Sequence, residues 1–223
     1  MTDMSLAAQR SLNWNVLIVN KSVQPMYEGQ LQAADFAARQ GAVVKALTFA
    51  QPVSLCLNLL SGFGLDAMPG WAKVLGLPLD ERKRAFADPA VRAKLIEGAA
   101  DPRVPQVLRA MGHFAAMAVV ETFSPANAGL AGRNLDDIAR ERGGSAADAF
   151  FDIALADDLR TVFKPALGGD DELSWKLRGE VWRDPRTLVG ASDAGAHLDM
   201  IDTFAFSTTV LGEGVRQRGL LTL

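Results

Sequence analysis

The chain has 223 residues, of which 49% are hydrophobic and 22% charged, and its formal net charge is −3 at pH 7. This composition is typical of a globular protein with a sizeable core, and without a basic excess neither nucleic acid nor an anionic membrane is an expected partner. The single cysteine excludes an intrachain disulfide, and since no apolar segment reaches the length of a membrane span we expect a soluble cytoplasmic protein.

Two buried strands with a helix between them are predicted near the start of the chain. Residues 15–20 and 42–49 are apolar runs of strand length, and residues 27–40 carry an apolar helical face that Gly41 ends. Strand, helix and strand in this order are typical of a right-handed βαβ unit with parallel strands.

The middle of the chain is predicted to be mainly helical after a loop. Residues 50–70 contain several Pro and Gly residues, and within them residues 55–60 fit either a helix or a strand. Helices are predicted over residues 71–75, 80–86, 89–99 and 104–111. The third of these helices begins with Asp88 as its N-cap and Pro89 as its first residue.

A third strand is predicted over residues 117–123, followed by two capped helices. Asn134 is the predicted N-cap of a helix over residues 135–142, and Ser145 of a helix over residues 146–156. We then expect a short strand at residues 162–164, a helix over 171–182, a strand over 187–191 and a helix over 200–211.

This order of elements predicts an α/β fold with a parallel sheet covered by helices. The four strong strands are too few to close a (β/α)₈ barrel, which has eight. Near the carboxyl terminus, Thr222 is a natural helix N-cap with no helix after it. The two interpretations are an ordinary frayed terminus and a piece of a longer barrel chain.

Residues 192–197 are the strongest candidate site, because Ser192, Asp193 and His197 directly follow a predicted strand among small residues. Active sites of parallel α/β proteins lie at the carboxyl ends of strands. Asp193 at such a place can bind a metal, act as general base on a metal-bound water, or orient a substrate amine. The structural alternatives are that Asp193 caps the next helix and that His197 is a partly buried first residue of that helix.

The rest of the inventory is poor in ligands for a transition metal. The chain has two histidines, His113 and His197, and one cysteine, Cys56, all far apart and without an HxH, HExxH or CxxC pair. We therefore do not expect a complete zinc site from this chain alone. Glu121 comes at the end of a predicted strand, as Asp193 does, and is therefore a second candidate site residue. It is a weaker candidate than Asp193 because its neighbours carry no further signal of a site.

Residues 188–197, LVGASDAGAH, resemble the last-strand segment of the amidohydrolase superfamily, and more narrowly that of the N-acyl-D-amino-acid deacylases (D-aminoacylases) of amidohydrolase family 3. Residues 132–143 and 147–152 are similar to the pattern that precedes the final strand in this family. Residues 69–71 and 88–92 resemble its mid-barrel insertion.

This resemblance implies a metal-dependent hydrolase on a TIM-like barrel that cleaves the amide bond of an N-acyl D-amino acid or a similar small molecule. It implies zinc as the cofactor and gives Asp193 two roles, metal ligand and carrier of the proton of the attacking water. His197 and Ser192 take the place of substrate-binding residues beside it.

The chain also departs from the family pattern. It has no HxH pair, it carries Asn20 where the family has Ser-His, and residues 42–49 contain no histidine. We therefore predict a single incomplete barrel domain over residues 1–223, corresponding to about the second half of the barrel, with a helical insertion at about residues 52–113.

The partners implied are the missing half-barrel or a second copy of the chain. The alternatives are an inactive remnant or partner subunit of such a barrel, which would associate through exposed strand edges, and an unrelated α/β enzyme that binds its substrate at strand ends without a metal.

Overall fold

The computed structural model describes residues 1–192 and 200–223, except for the side chain of Val107. These residues form two compact units. The first consists of Met1–Ser54 and Gly168–Leu223, and the second of Leu55–Leu167. The predicted insertion at residues 52–113 falls almost entirely in the second unit, and the assignment of the whole chain to one domain stays a prediction.

The helices and strands follow one another along the chain in an alternating order. The strands are β1 (Leu12–Leu17), β2 (Val44–Thr48), β3 (Ser54–Leu55), β4 (Ala118–Glu121), β5 (Val162–Lys164), β6 (Thr187–Val189) and β7 (Ile201–Asp202). The helices are α1 (Thr2–Ala8), α2 (Gln24–Arg39), α3 (Trp71–Leu75), α4 (Leu79–Ala87), α5 (Pro89–Ala100), α6 (Gln106–Met111), α7 (Leu135–Arg142), α8 (Ala146–Ala156), α9 (Glu172–Trp182) and α10 (Phe206–Thr209), the last continued by a π-helix at Val210–Gln217.

A three-stranded parallel sheet in the order β1-β2-β6 is the centre of the first unit. Leu12 pairs with Val44 between β1 and β2, and Ala46 pairs with Thr187 between β2 and β6. The predicted βαβ unit is thereby confirmed, with β1 three residues earlier than the predicted run 15–20. The α/β class and the parallel sheet are confirmed, and the strands of the described residues do not close into a barrel.

Helices cover one face of this sheet. Ala37 of α2 packs with Val44, and the partly buried Leu12 and Trp14 of β1 pack against them. The alternate residues of the strands point to the other face, where Asn13 and Asn15 are exposed. Leu188 of β6, on that same face, is 45% exposed. Among residues 1–192 and 200–223, one face of the sheet is therefore a packed core, and the other is only partly covered and is called the open face below.

The second unit is built around aromatic side chains contributed by its helices. Phe151 lies 5.9 Å from Trp71 and 5.5 Å from Phe86 between ring centroids, and Phe150 lies 4.9 Å from Phe114 and 4.5 Å from Phe163. Five of these six rings are completely buried or nearly so; the sixth, that of Phe114, is 6% exposed. Burial of several large rings makes this cluster the main source of hydrophobic stabilisation in the unit.

The predicted strand at residues 117–123 does not belong to the parallel sheet. It forms β4, which pairs antiparallel with β5 in the second unit, with Val119 opposite Phe163. The prediction that this strand belongs to the parallel sheet was therefore wrong. Its apolar run correctly indicated a strand, but an apolar run carries no information on the partner or its direction.

The predicted helix starts are confirmed where a polar side chain caps the helix. Asp88 accepts a hydrogen bond from Ala90 N, and Asn134, Ser145 and Asp171 cap the following helices in the same way. The helix predicted over residues 200–211 was wrong in its first half, because β7 occupies Ile201–Asp202 and α10 begins only at Phe206. Among the described residues, no helix is both long and apolar enough to cross a membrane.

Candidate functional site

The structure describes one of the three site residues predicted from the sequence. Asp193 and His197 lie outside the described residues, whereas Ser192 is described. The backbone N–H of Ser192 donates to the carbonyl of Gly190 at 2.9 Å, and its own carbonyl accepts a hydrogen bond from the hydroxyl of Thr203. Ser192 therefore lies shortly after the end of β6, at the carboxyl edge of the parallel sheet.

Polar side chains also follow the other two strands of this sheet. After β2, Gln51 donates from Nε2 to a backbone carbonyl of β7 at 2.6 Å and accepts at Oε1 from the hydroxyl of Thr209 at 2.9 Å. After β1, Asn20 accepts at Oδ1 from the backbone N–H of Ser22 at 2.9 Å. Parallel strands end at one edge of a sheet, so these side chains share with Ser192 the edge where α/β proteins bind ligands.

The start of α9 is joined to the segment that follows β1. Asp171 caps α9 by accepting from the backbone N–H and the hydroxyl of Ser174, at 3.1 and 2.8 Å. Lys21 donates its backbone N–H to Ser174 Oγ at 3.1 Å and places its Nζ 3.5 Å from Asp171. Hydrogen bonds from Ser174 and the positive charge of Lys21 lower the pKa of Asp171, so this carboxylate is ionised at neutral pH. Both of its oxygens already accept hydrogen bonds from Ser174.

Arg178 is a buried cation on α9, with only 3% of its surface exposed. Its Nη2 donates to the carbonyl of Gly169 at 2.6 Å, and its guanidinium lies 4.8 Å from the centre of the Trp175 ring. Burial lowers the pKa of Arg178 to about 10, against the opposing charges of Asp170 and Asp171. The side chain therefore stays protonated at neutral pH although it is removed from water.

The other candidates from the sequence belong to the second unit. Cys56 is partly buried, and burial raises the pKa of its thiol although Lys164 opposes the shift. A raised pKa leaves little thiolate at neutral pH, in agreement with an unreactive cysteine. Glu121 and His113 are exposed, the first at the end of β4 and the second just after α6.

Metal ligands do not cluster in the part of the chain that the structure describes. Over residues 1–192 and 200–223, no three His, Cys, Asp or Glu side chains come together in a way that could hold an ion. These residues thus do not fit a complete zinc site, which takes three or four such ligands. Zinc as a cofactor stays a prediction that depends on Asp193 and on residues elsewhere.

No protein-family model, curated protein or solved structure matches the chain. The resemblance to the deacylases therefore stays a prediction, and the chain's function has to be inferred from its own residues.

Sequence reasoning missed two residues at this edge, Gln51 and Arg178. A signal existed for Gln51, because it follows a predicted strand in the same way as Ser192 and Asp193 follow theirs. No signal existed for Arg178, because an arginine in the middle of a helix is expected to point to solvent. Its burial depends on the loop at Gly169, whose position the sequence of α9 does not reveal.

Proposed function

We propose that this chain is one part of a metal-dependent amide hydrolase that acts on N-acyl D-amino acids or similar compounds, with Asp193 as the carboxylate that binds the metal and accepts the proton. The observation that supports this proposal is the position of β6. This strand pairs with β2 in a parallel sheet, and the chain leads from its carboxyl end directly into Ser192 and Asp193. A carboxylate at that position suits metal or proton chemistry.

The finer fold that we propose is about half of a TIM-like barrel. In such a barrel the helices lie outside a ring of parallel strands, and the inner faces of the strands pack against one another. The sheet β1-β2-β6 has helices on one face and an open face with the half-exposed Leu188. This arrangement suits a set of barrel strands whose inner face is completed by other strands.

The metal ligands other than Asp193 would come from a second polypeptide, either a complementary half-barrel or another copy of this chain. The described residues hold no ligand cluster, and the whole sequence has two histidines. Ser192 and His197 would then contact the substrate beside Asp193. The part of the reaction that this chain would supply is one carboxylate positioned to take and return a proton.

Zinc titration of the purified chain tests the metal-binding role of Asp193. With one carboxylate and at most one imidazole as ligands, we expect a dissociation constant of about 0.1–1 mM, which is a binding free energy of about 4–5 kcal/mol. Complete structural zinc sites bind with roughly 10 kcal/mol or more. Asp193→Asn should abolish this binding. Asp202→Asn, which removes an equal charge from an exposed residue at the end of β7, should leave the binding unchanged.

The same titration separates the proposal from its main alternative, a non-catalytic partner subunit. The low number of metal ligands favours that alternative. Zinc binding that Asp193→Asn removes supports the hydrolase. Absence of measurable zinc binding, or binding that persists in Asp193→Asn, contradicts the metal-binding role of Asp193 and favours the partner subunit.

A further inference from the structure

Helix α2 carries a second apolar stripe besides the one that it buries. The buried side of the helix includes Leu31 and Ala37. A separate set of uncharged residues follows the spacing of three, four and three positions that aligns side chains along one side of a helix, as at the a and d positions of a coiled coil. We call this set the outer stripe; it consists of Met26, Gly29, Ala33 and Phe36.

The large side chains at the two ends of the outer stripe are exposed. Met26 is 44% exposed and Phe36 is 52% exposed. Between them Ala33 is only partly buried, and a Cβ added to Gly29 would meet nothing within 4 Å. A single exposed apolar residue is ordinary, but two on one side of a helix with small residues between them form a continuous face. Residues 1–192 and 200–223 leave this face largely uncovered.

The outer stripe has the same sequence of sizes from either end: large, small, small, large. Met26 and Phe36 are equally far along the helix from Leu31, and so are Gly29 and Ala33. A two-fold axis beside Leu31 would therefore place Met26 against Phe36 of a second copy. The same axis would place Gly29 against Ala33 of that copy, where small residues let two helices approach closely. A two-fold contact uses the same surface on both copies, so this stripe suits a second copy of the chain.

The charges beside the outer stripe favour an antiparallel arrangement of the two helices. Glu28 and Arg39 lie on the same flank of the stripe, and the opposite flank carries the uncharged Gln30. In an antiparallel pair the charged flanks of the two copies meet, with Arg39 about 7.5 Å along the axis from Glu28 of the second copy. A long arginine side chain can cross that distance. In a parallel pair each charged flank would meet the uncharged one instead.

We propose that the outer stripe of α2 is a dimerisation surface, and that it packs antiparallel against the same stripe of a second copy of this chain. In a βαβ unit the helix runs opposite to its two strands, so the sheets of the two copies point in opposite directions. The dimer therefore does not bring the two carboxyl edges together. It uses neither Asp193 nor a metal, so it goes beyond the proposed function.

The mass of the full chain in solution, measured without metal by sedimentation equilibrium, tests this surface. A contact made by one helix belongs to the small and weak interfaces, so the series should run from about 1 μM to about 1 mM chain. We expect a reversible change from monomer to dimer within this range. A monomer at every concentration would overturn the proposal.

Two variants with the same chemical change test whether the outer stripe makes the contact. Ala33→Glu should weaken dimerisation roughly tenfold or more, because it places an unpaired charge against Gly29 of the second copy. Ala38→Glu adds the same charge to an exposed residue of α2 about 140° around the helix from Ala33, and it should leave dimerisation unchanged. Equal effects of the two variants, or no effect of Ala33→Glu in a folded chain, would contradict the proposed surface.

Disulfide crosslinking tests the antiparallel direction. Two chains are prepared with Cys56→Ser, one with Met26→Cys and the other with Phe36→Cys, and each is oxidised with glutathione disulfide alone and in an equal mixture. We expect a crosslinked dimer of the two different chains in the mixture and none from either chain alone. Crosslinks within each separate chain, or none in the mixture, would overturn the proposal. This comparison decides even if Ala33→Glu does not fold, and it is independent of the zinc titration.

Discussion

Asp157 is a buried carboxylate that connects the end of α8 to the loop after β4. It accepts hydrogen bonds from the backbone N–H groups of Phe123 and Ser124, at 3.1 and 2.7 Å, and from the hydroxyl of Thr161 at 2.7 Å. Burial by itself raises the pKa of Asp157, but these hydrogen bonds outweigh burial and the pKa is lowered. The ionised form is thus the one that stabilises this part of the second unit.

We expect Asp157→Asn to lower the free energy of unfolding at neutral pH by about 1–3 kcal/mol, because the amide offers one acceptor in place of two. The pKa of Asp157 is lower in the folded chain than in the unfolded chain. Its contribution is therefore present above the unfolded value of about 3.9 and is lost as the pH falls through the folded value. Urea unfolding at about pH 7 and about pH 3 should show the difference between the two proteins shrinking at low pH.

The neighbouring Asp158 provides the control for this experiment. Its side chain is exposed, and it pairs with Lys83 at 2.5 Å. An exposed ion pair is screened by solvent and contributes little to stability, so Asp158→Asn should have a small effect. Equal losses in the two variants, or a pH-independent loss in Asp157→Asn, would show that the buried hydrogen bonds of Asp157 are not the source of the stabilisation.

Residues whose role is local could be predicted from the sequence, and residues whose role depends on distant partners could not. Asn134 and Ser145 were recognised as helix caps because each bonds to a backbone N–H two or three residues later. Asp157 has partners more than thirty positions away, and Arg178 depends on a separate loop. No spacing rule in the sequence links such pairs.

At the scale of the elements, two helical glycines differ in the space around them. A Cβ on Gly98 of α5 would lie 2.1 Å from the carbonyl oxygen of Pro69, which is a backbone atom. A Cβ on the exposed Gly29 of α2 would have nothing within 4 Å. Gly98 is therefore needed for close packing of α5 on the loop before α3, whereas Gly29 has no such role.

We expect Gly98→Ala and Gly29→Ala to change the thermal stability in opposite directions. In a helix, Ala is favoured over Gly by about 0.5–1 kcal/mol, so Gly29→Ala should raise the melting temperature. In Gly98→Ala the overlap with Pro69 should cost about 1–3 kcal/mol and exceed that gain. Differential scanning calorimetry checks both variants. A rise in melting temperature for Gly98→Ala would mean that α5 is not packed on Pro69 as described.

The existence of the elements was predicted better than their pairing. The helices α7 and α8 and the strand β5 begin and end at the predicted residues. Strand β4 was predicted as a strand, but its antiparallel pairing with β5 was not. The apolar run at residues 200–211 suited a helix by length, yet its first residues form β7. Pairing between strands far apart in sequence decides such cases over local preference.

At the scale of the whole molecule, the open face of the parallel sheet distinguishes this chain from most α/β proteins. Parallel sheets are usually covered on both faces. Here Leu188 is 45% exposed on the open face, whereas Leu17 at the end of β1 is completely buried. The order of strands and helices predicted a parallel sheet, but it could not show that one face is left partly uncovered by the described residues.

We expect Leu188→Thr to change the free energy of unfolding by less than about 1 kcal/mol, because a half-exposed side chain loses little on truncation and Thr suits a strand. Leu17→Ala should cost about 2–5 kcal/mol, the range found for buried leucines. Chemical unfolding of the isolated chain checks both values. A large loss in Leu188→Thr would show that this face is covered within the chain itself, and the half-barrel proposal would lose its support.

The most direct test of the proposed incomplete active site is an assay of amide hydrolysis by the purified chain. The substrates are N-acetyl-D-amino acids, the chain is supplied with saturating zinc, and bound zinc is counted in the same sample. Because the chain contains only two histidines and one cysteine, we predict no hydrolysis above the zinc-only background and no tightly held zinc. Turnover that Asp193→Asn abolishes, with one zinc held tightly per chain, would contradict the proposal that the remaining metal ligands lie outside this chain.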